Sequence, residues 1–229
     1  MGSKERRERE RDDLRTKILD AARQLILEQG VDAVSMRKIA ERIEYSPTAI
    51  YQHFADKEAL LHAMCERDFD GLHCRLLERM AGVTDPVEAI VVSGISYVVF
   101  ATEYPSHFRV MFMTPNAHPA EMTEADKRKK ADPSASGYAA FKMNVTRAIE
   151  AGRFRDEYSD PEMITQVLWG VVHGVASIHV AKQKDPWVEL TPIDKWLRVA
   201  ITATMRGMLR DPEEIERVYQ GLGEKGAML

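Results

Sequence analysis

The chain has 229 residues, of which 45% are hydrophobic, and its formal net charge is −4 at pH 7. This content is enough to bury the core of one large domain, or of a small domain and a larger one. The charge excludes the strongly basic proteins that bind nucleic acids through net charge alone. Residues 1–60 hold as many Lys and Arg as Asp and Glu, so any DNA affinity must come from placed contacts and from dimerisation.

The two cysteines, Cys65 and Cys74, fall on roughly opposite faces of one predicted helix, so they cannot form a disulfide with each other. The charged N-terminal residues show no signal-peptide pattern, and we therefore expect a cytoplasmic protein. Polar residues interrupt the longest apolar run, residues 163–181, at Gln166, His173 and His179. These interruptions favour a buried helix over a membrane span.

Residues 1–13 mix Lys, Arg, Glu and Asp without an apolar face, which predicts a flexible charged arm. The arm is either a solvated tail or a source of DNA contacts from Lys4, Arg6, Arg7 and Arg9. An apolar stripe from Leu14 then predicts a helix that ends at Gly30.

Residues 35–57 contain two short helical patterns. Ser35 can cap a first helix, whose apolar face repeats at Met36, Ile39, Ala40 and Ile43. Ser46 can cap a second helix with Pro47 at its first position, and Ile50 and Phe54 then point inward. The outward residues are Thr48, Ala49, Gln52 and His53, with Tyr51 at the flank. The pattern predicts a helix-turn-helix whose second helix lies in the DNA major groove, within a domain spanning residues 14–56.

Over about residues 14–61, the chain resembles the DNA-binding half of the TetR family of bacterial transcriptional regulators. The matched positions are Ile39-Ala40, Ser46, Tyr51, Phe54 and Lys57. Two positions depart from the family pattern, because its turn glycine is Glu44 here and its next valine is Tyr45. A left-handed turn residue other than glycine costs roughly 1 kcal/mol, which a packed Tyr45 could offset.

The resemblance implies double-stranded DNA as the partner of this half. Thr48 and Gln52 are candidates for base edges, and Ala49 for a thymine methyl. By the same resemblance, the candidates for phosphate contacts are Ser35, Arg37, Tyr51, His53 and Lys57. For Tyr51, packing alone is the alternative.

The pattern of residues 57–229 predicts a larger helical domain. The predicted fold class is all-α, with about nine to ten helices in total. A long helix covers residues 57–81, and four capping residues followed by proline predict helix starts at Asp85, Asp160, Thr191 and Asp211. The β-branched residues at 87–104 could form a strand, but their length and cap favour a helix. Residues 105–113 predict a short helix, 114–133 a loop with a solvated basic run, 138–152 a helix, and 212–229 a weak tail ending in glycines that include Gly226.

The segment from Trp169 to Gly174 resembles the Trp-x-x-x-His-Gly signature of one class of TetR-family C-terminal domain, and residues 104–112 resemble a segment of such domains. Gly170 and Gly174 leave a strip of helix 161–182 without side chains, so another helix can approach closely. Family relatives dimerise through such helices. The resemblance implies a homodimer that packs helices 161–182 and 193–210 of the two subunits together.

An effector pocket would then lie between helices 60–80, 87–104, 138–152 and 161–182. The candidate ligand-binding residues are Phe69, Phe100, Tyr104, Phe108, Met111, Tyr138, Phe141, Trp169 and His173. An ordinary core is the alternative for this aromatic and methionine set, and a hydrogen-bonded interior histidine is the alternative for His173.

The expected function is that of a homodimeric repressor of palindromic operators, released by an unknown small molecule. We expect no catalytic residues, metal or cofactor, because no metal-ligand pair, phosphate-binding glycine loop or nucleophile motif occurs in the sequence. Two alternatives stay open: an enzyme on a helical scaffold, and a helical ligand-binding or adaptor protein without a DNA role.

Overall fold

The structure, a computed structural model, describes residues 3–114 and 121–224. Within these residues the chain forms eleven α-helices and one 3₁₀ turn, Val31–Ala33, and no strand beyond a single bridge between Phe154 and Leu209. The all-α prediction is confirmed. The helices are α1 Ser3–Gln29, α2 Met36–Arg42, α3 Pro47–Tyr51, α4 Lys57–Met80, α5 Pro86–Glu103, α6 Pro105–Met113, α7 Glu124–Ala131, α8 Gly137–Glu150, α9 Pro161–Lys182, α10 Ile193–Met208 and α11 Glu214–Glu224.

The cap-and-proline pattern identifies the caps of α5 and α9 correctly; α10 also begins at the predicted Ile193 but with a different cap, and α11 begins later than predicted. The carboxylates of Asp85 and Asp160 accept backbone N–H bonds at the starts of α5 and α9. Thr191 does not cap α10, because Pro192 occupies the N-cap position without a side-chain bond. Asp211 accepts the N–H of Glu213 at 3.0 Å, so a turn forms first and α11 begins three residues after the predicted cap.

Two other segments contain more helix than their composition suggests. α1 begins at Ser3 rather than Leu14, and an Arg6–Glu10 ion pair of 3.4 Å on adjacent turns supports its first turns. The predicted loop 114–133 is wrong in part, because α7 forms inside it behind a capping box of Thr123 and Asp126. Residues 115–120 of that loop, and Gly226 of the tail, lie outside the described residues.

The chain divides into two compact units, Met1–Phe69 with Ser106–Met122, and Asp70–Pro105 with Thr123–Leu229. The first unit takes in more of the chain than the predicted helix-turn-helix domain. Its core joins Ile18 of α1, Ile39 of α2, Ile50 of α3 and Leu60 of α4, all fully buried. Val110 of α6 belongs to the same core, so α6 packs within this unit.

The second unit is built around α5, which packs against α8, α9, α10 and α11. Gly94 permits a close approach at the centre of α5, since a Cβ there would lie 3.1 Å from Val172 Cγ1 and 3.4 Å from Ile201 Cδ1. The predicted helix at residues 87–104 is therefore confirmed, and its β-branched residues fill a core.

By length and composition, α5 and α9 are apolar enough to cross a membrane. In their most apolar 18-residue segments, 67% of the α5 residues and 39% of the α9 residues are buried. Core helices pass the same test, so this is weak evidence for a span. The incomplete burial of α9 means that the described part of the chain covers only part of this helix.

Candidate nucleic-acid interface

Two serine caps position the helices of the candidate interface. Ser35 Oγ accepts the N–H of Lys38 at 3.2 Å, and Ser46 Oγ accepts the N–H of Ala49 at 3.3 Å. Pro47 fills the first position of α3, where no N–H is needed. Ile50 and Phe54 are buried, which anchors α3 by one face and leaves the other toward solvent.

The turn between α2 and α3 requires a left-handed residue, and Glu44 supplies it with φ 60°. The N–H of Tyr45 donates to the carbonyl of Ala40 at 2.9 Å, which is the six-to-one bond of a Schellman helix end. Tyr45 is 44% exposed, so its packing is partial. The turn geometry typical of a helix-turn-helix thus forms with a glutamate in the glycine position.

The structure brings the candidate base-reading residues onto one surface of α3. Thr48 and Gln52 are exposed, and Ala49 and His53 are half-buried beside them. Tyr51 is 55% exposed, so packing alone does not occupy its side chain. Together these side chains form a mostly polar surface, which suits contact with base edges.

The side chains proposed to contact phosphates differ in how far hydrogen bonds within the protein already occupy them. The Arg37 guanidinium pairs with Glu41 at 2.9 Å on an exposed part of α2. The Lys57 ammonium donates to the carbonyl of Val31 at 2.7 Å and so ties the start of α4 to the 3₁₀ turn. That bond uses one of the three ammonium donors. Sequence reasoning missed this structural role of Lys57.

Arg15 is a second feature that sequence reasoning missed. Its guanidinium lies 4.4 Å from the centroid of the Phe54 ring and donates to the carbonyl of His53 at 3.4 Å. Burial lowers the pKa of His53, and the positive charges of Arg11 and Arg15 lower it further. His53 is therefore neutral at pH 7 in the free protein, within a positive local field.

In the second unit, Tyr138, Trp169 and His173 form a chain of ring contacts, with centroid distances of 6.2 and 5.3 Å. Tyr97, absent from our candidates, has its hydroxyl 2.7 Å from His173 Nδ1, and Ser177 Oγ lies 3.1 Å from His173 Nε2. Burial lowers the pKa of His173, which favours the neutral imidazole. A neutral ring, which donates through one nitrogen and accepts through the other, satisfies both nitrogens with these two hydroxyls.

The remaining ligand candidates are divided between the units. In the first unit Phe108 and Met111 are buried, and Phe112 contacts both Phe69 and Phe108. In the second unit Phe100 stacks on Tyr104, with ring centroids 5.5 Å apart, and Phe141 is half-buried. Over residues 3–114 and 121–224, no cluster of three or more His, Cys, Asp or Glu could hold a metal ion.

Two family profiles match this chain. One, described as bacterial regulatory proteins of the tetR family, matches residues 18–64. The other, described as a Tetracyclin repressor-like C-terminal domain, matches residues 92–213, which is more than half of the chain.

The curated relatives match in part of their length. The HTH-type transcriptional regulator UidR of Escherichia coli is 38% identical over 69 residues, 30% of this chain and 35% of that protein. The HTH-type transcriptional repressor Rv1474c of Mycobacterium tuberculosis is 39% identical over 69 residues, 30% and 33% of the two chains. The HTH-type transcriptional activator FasR of Mycolicibacterium smegmatis is 28% identical over 102 residues, 44% and 47%. The chain thus spans about a third to a half of these relatives.

Solved structures share the fold over most of the chain. A TetR family transcription regulator from Marinobacter aquaeolei has a TM-score of 0.69 at 20% identity, covering 88% of this chain and 98% of that one. SmeT, the repressor of the Stenotrophomonas maltophilia multidrug efflux pump SmeDEF, has a TM-score of 0.61 at 22% identity, covering 86% and 91%. At such identities the likeness establishes the fold alone.

Proposed function

This chain belongs to the TetR family of transcriptional regulators, and from that premise we propose that it is a homodimeric repressor that binds a palindromic operator through α3 and leaves it when a small molecule binds. The observation that carries the proposal is the exposed face of α3. Two serine caps and a buried Ile50 hold Thr48 and Gln52 outward on a packed helix-turn-helix. Two such faces on a twofold axis would enter major grooves about 34–36 Å apart.

DNA binding is tested with the full chain and a palindrome from its own upstream region. We expect Gln52→Ala to weaken operator binding by about 5- to 150-fold for each protomer while leaving binding to unrelated DNA unchanged, because a good base contact contributes about 1–3 kcal/mol of discrimination. Arg37→Ala should weaken both equally, because a phosphate contact carries no sequence information. Lys57→Ala is a poor probe, because its ammonium also holds Val31. Equal operator affinity for wild type and Gln52→Ala would contradict the assignment of α3 as the reading helix.

The homodimer is proposed on the uncovered faces of α9 and α10. Val167, Gly170 and Ile178 of α9 are exposed and Gly174 between them is half-buried, while Val199 of α10 is 67% exposed. An apolar stripe of this kind, on two adjacent helices, fits a four-helix contact between two copies. Among residues 3–114 and 121–224, a Cβ added at Gly174 would meet no atom within 4 Å, which leaves room for a partner helix.

This openness gives a clean test of the dimer. Gly174→Leu should preserve the protomer fold, because a Cβ at this position meets open space. It should raise the dimer dissociation constant, as measured by sedimentation equilibrium, because the added side chain would fill the space proposed for the partner helix. Gly71→Leu in α4 is the matched control, since its Cβ also meets open space. A wild-type chain that is monomeric at micromolar concentration, or a Gly174→Leu variant that dimerises as tightly as wild type, refutes this interface.

For the effector, we propose a site in the second unit lined by Tyr138, Trp169 and His173, with the C-terminal unit assigned to the Trp-His-Gly class. The support is the ring chain and the hydrogen bond from Tyr97 to His173. α4 runs through both units and is the proposed route of coupling, with a typical coupling energy of about 1–3 kcal/mol. Trp169→Ala should abolish effector release without weakening operator binding.

Each alternative function predicts a different experimental result. A helical adaptor or ligand-binding protein would show no sequence-specific DNA binding at any salt concentration. Activation instead of repression would raise a reporter signal when the chain is expressed. For a regulator of chromosomal operators we propose a cytoplasmic location.

A further inference from the structure

The first turns of α1 extend beyond the core of the first unit. The core-facing residues of α1 include Ile18, Ala22 and Leu25, all buried, whereas residues 4–13 are all exposed. A solvated extension with randomly placed charges would show no order around the helix axis. This one does show such order.

The basic residues on one face of the extension continue the buried stripe. Lys4, Arg7, Arg11 and Arg15 follow one another at i, i+3, i+7 and i+11, and Ile18 and Ala22 extend the same row at i+14 and i+18. We call Lys4, Arg7, Arg11 and Arg15 the basic row. The acidic residues Glu5, Glu8 and Asp12 repeat at the same spacing and form a neighbouring row about 90° around the helix, with Glu8 one turn from both Lys4 and Arg11.

The inner end of the basic row lies against the recognition helix. Arg15 covers the Phe54 ring and donates to the carbonyl of His53, at the C-terminal end of α3. Arg11 lies close enough for its charge to lower the pKa of His53, after the larger effect of burial, while the charge of Asp12 opposes it more weakly. The row therefore starts beside the surface proposed to face DNA and runs away from it for about 16 Å, the rise of eleven helical residues.

We propose that the basic row binds phosphates of the operator next to the groove that α3 enters, as a helical clamp; this inference rests on the proposed function. The first 60 residues are neutral overall, so sorting the charges into rows is what gives this face a positive field. Phosphate contacts set affinity and salt dependence, whereas base contacts set sequence preference. The row thus adds affinity without changing the operator that is read.

The extension also supplies a matched control. Arg6 and Arg9 lie in the same turns but on the opposite face, and Arg6 pairs with Glu10 at 3.4 Å. The double variants Arg7→Gln/Arg11→Gln and Arg6→Gln/Arg9→Gln change the charge equally, at exposed positions. Any difference between them reports the face of the helix and not the net charge.

Operator affinity of the full-length protein is measured by fluorescence anisotropy between 50 and 200 mM salt. Losing two phosphate contacts per protomer lowers the salt slope by about 1.8 for each protomer and about 3.6 for the dimer, so the Arg7→Gln/Arg11→Gln dimer should lose about 150-fold less affinity than wild type over this range. Its preference for operator over unrelated DNA should persist, and the control variant should keep the wild-type slope. Equal slopes for the two double variants overturn the inference while the proposed function stands. Absence of specific binding by the wild type refutes the proposed function itself, and the inference with it.

Discussion

Replacing Glu44 by glycine should stabilise the first unit, because the turn between α2 and α3 holds this residue at φ 60°. A side chain in the left-handed region costs about 1–2 kcal/mol, which glycine avoids. Glycine is also freer in the unfolded chain, which offsets about 0.4–1 kcal/mol of that gain. The net expectation is about 0.5–1 kcal/mol of added stability, or a rise in Tm of about 1–4 °C for a chain of this size.

The assay is urea unfolding of each variant, followed by circular dichroism. Glu44→Gln and Glu44→Ala remove the charge but keep a Cβ, so they should unfold with the wild type and below the glycine variant. Gly152→Ala is the reverse control, since Gly152 has φ 67° and open space around it, so an added methyl should cost stability through strain alone. If Glu44→Gln gains as much as Glu44→Gly, the relief comes from charge and the strain argument fails.

Three further outcomes are expected. Asp68→Ala should destabilise the protein by about 3–5 kcal/mol in the same assay, because Asp68 and Arg23 form a 2.6 Å ion pair with side chains only 1% and 3% exposed; a loss below 1 kcal/mol would contradict a buried pair. Operator affinity should rise as pH falls from 7 to 5.5. The pKa of His53 is lowered in the free protein, and a bound phosphate would raise it again, so the complex takes up a proton on binding. His53→Gln should flatten this dependence, and a wild-type affinity independent of pH would remove His53 from the phosphate contacts. A maleimide at pH 8 should label the exposed Cys74 and spare Cys65, because burial raises the pKa of the Cys65 thiol to about 12. Two labels on the folded chain, found by mass spectrometry, would refute this burial.

The helix-turn-helix could be predicted because its signals are local. Ser35, Ser46 and Pro47 act on backbone groups within three residues, and the inward positions Ile50 and Phe54 follow from helical periodicity. The capping box at Thr123 was equally local, and a search for that pattern would have identified α7. Thr191 shows the limit of such signals, because a capping residue before proline does not fix which residue begins the helix.

The sequence by itself determined the all-helical class, the family and the outward face of α3, because periodicity and capping are read over a few neighbouring residues. The tertiary structure alone decided the partners of side chains far apart along the chain. Lys57 reaches Val31 across 26 residues, Arg15 reaches His53 across 38, and Tyr97 reaches His173 across 76. Such pairs depend on how the helices pack. Periodicity in one sequence identifies the apolar face of each helix, but it does not determine which helices pack against each other.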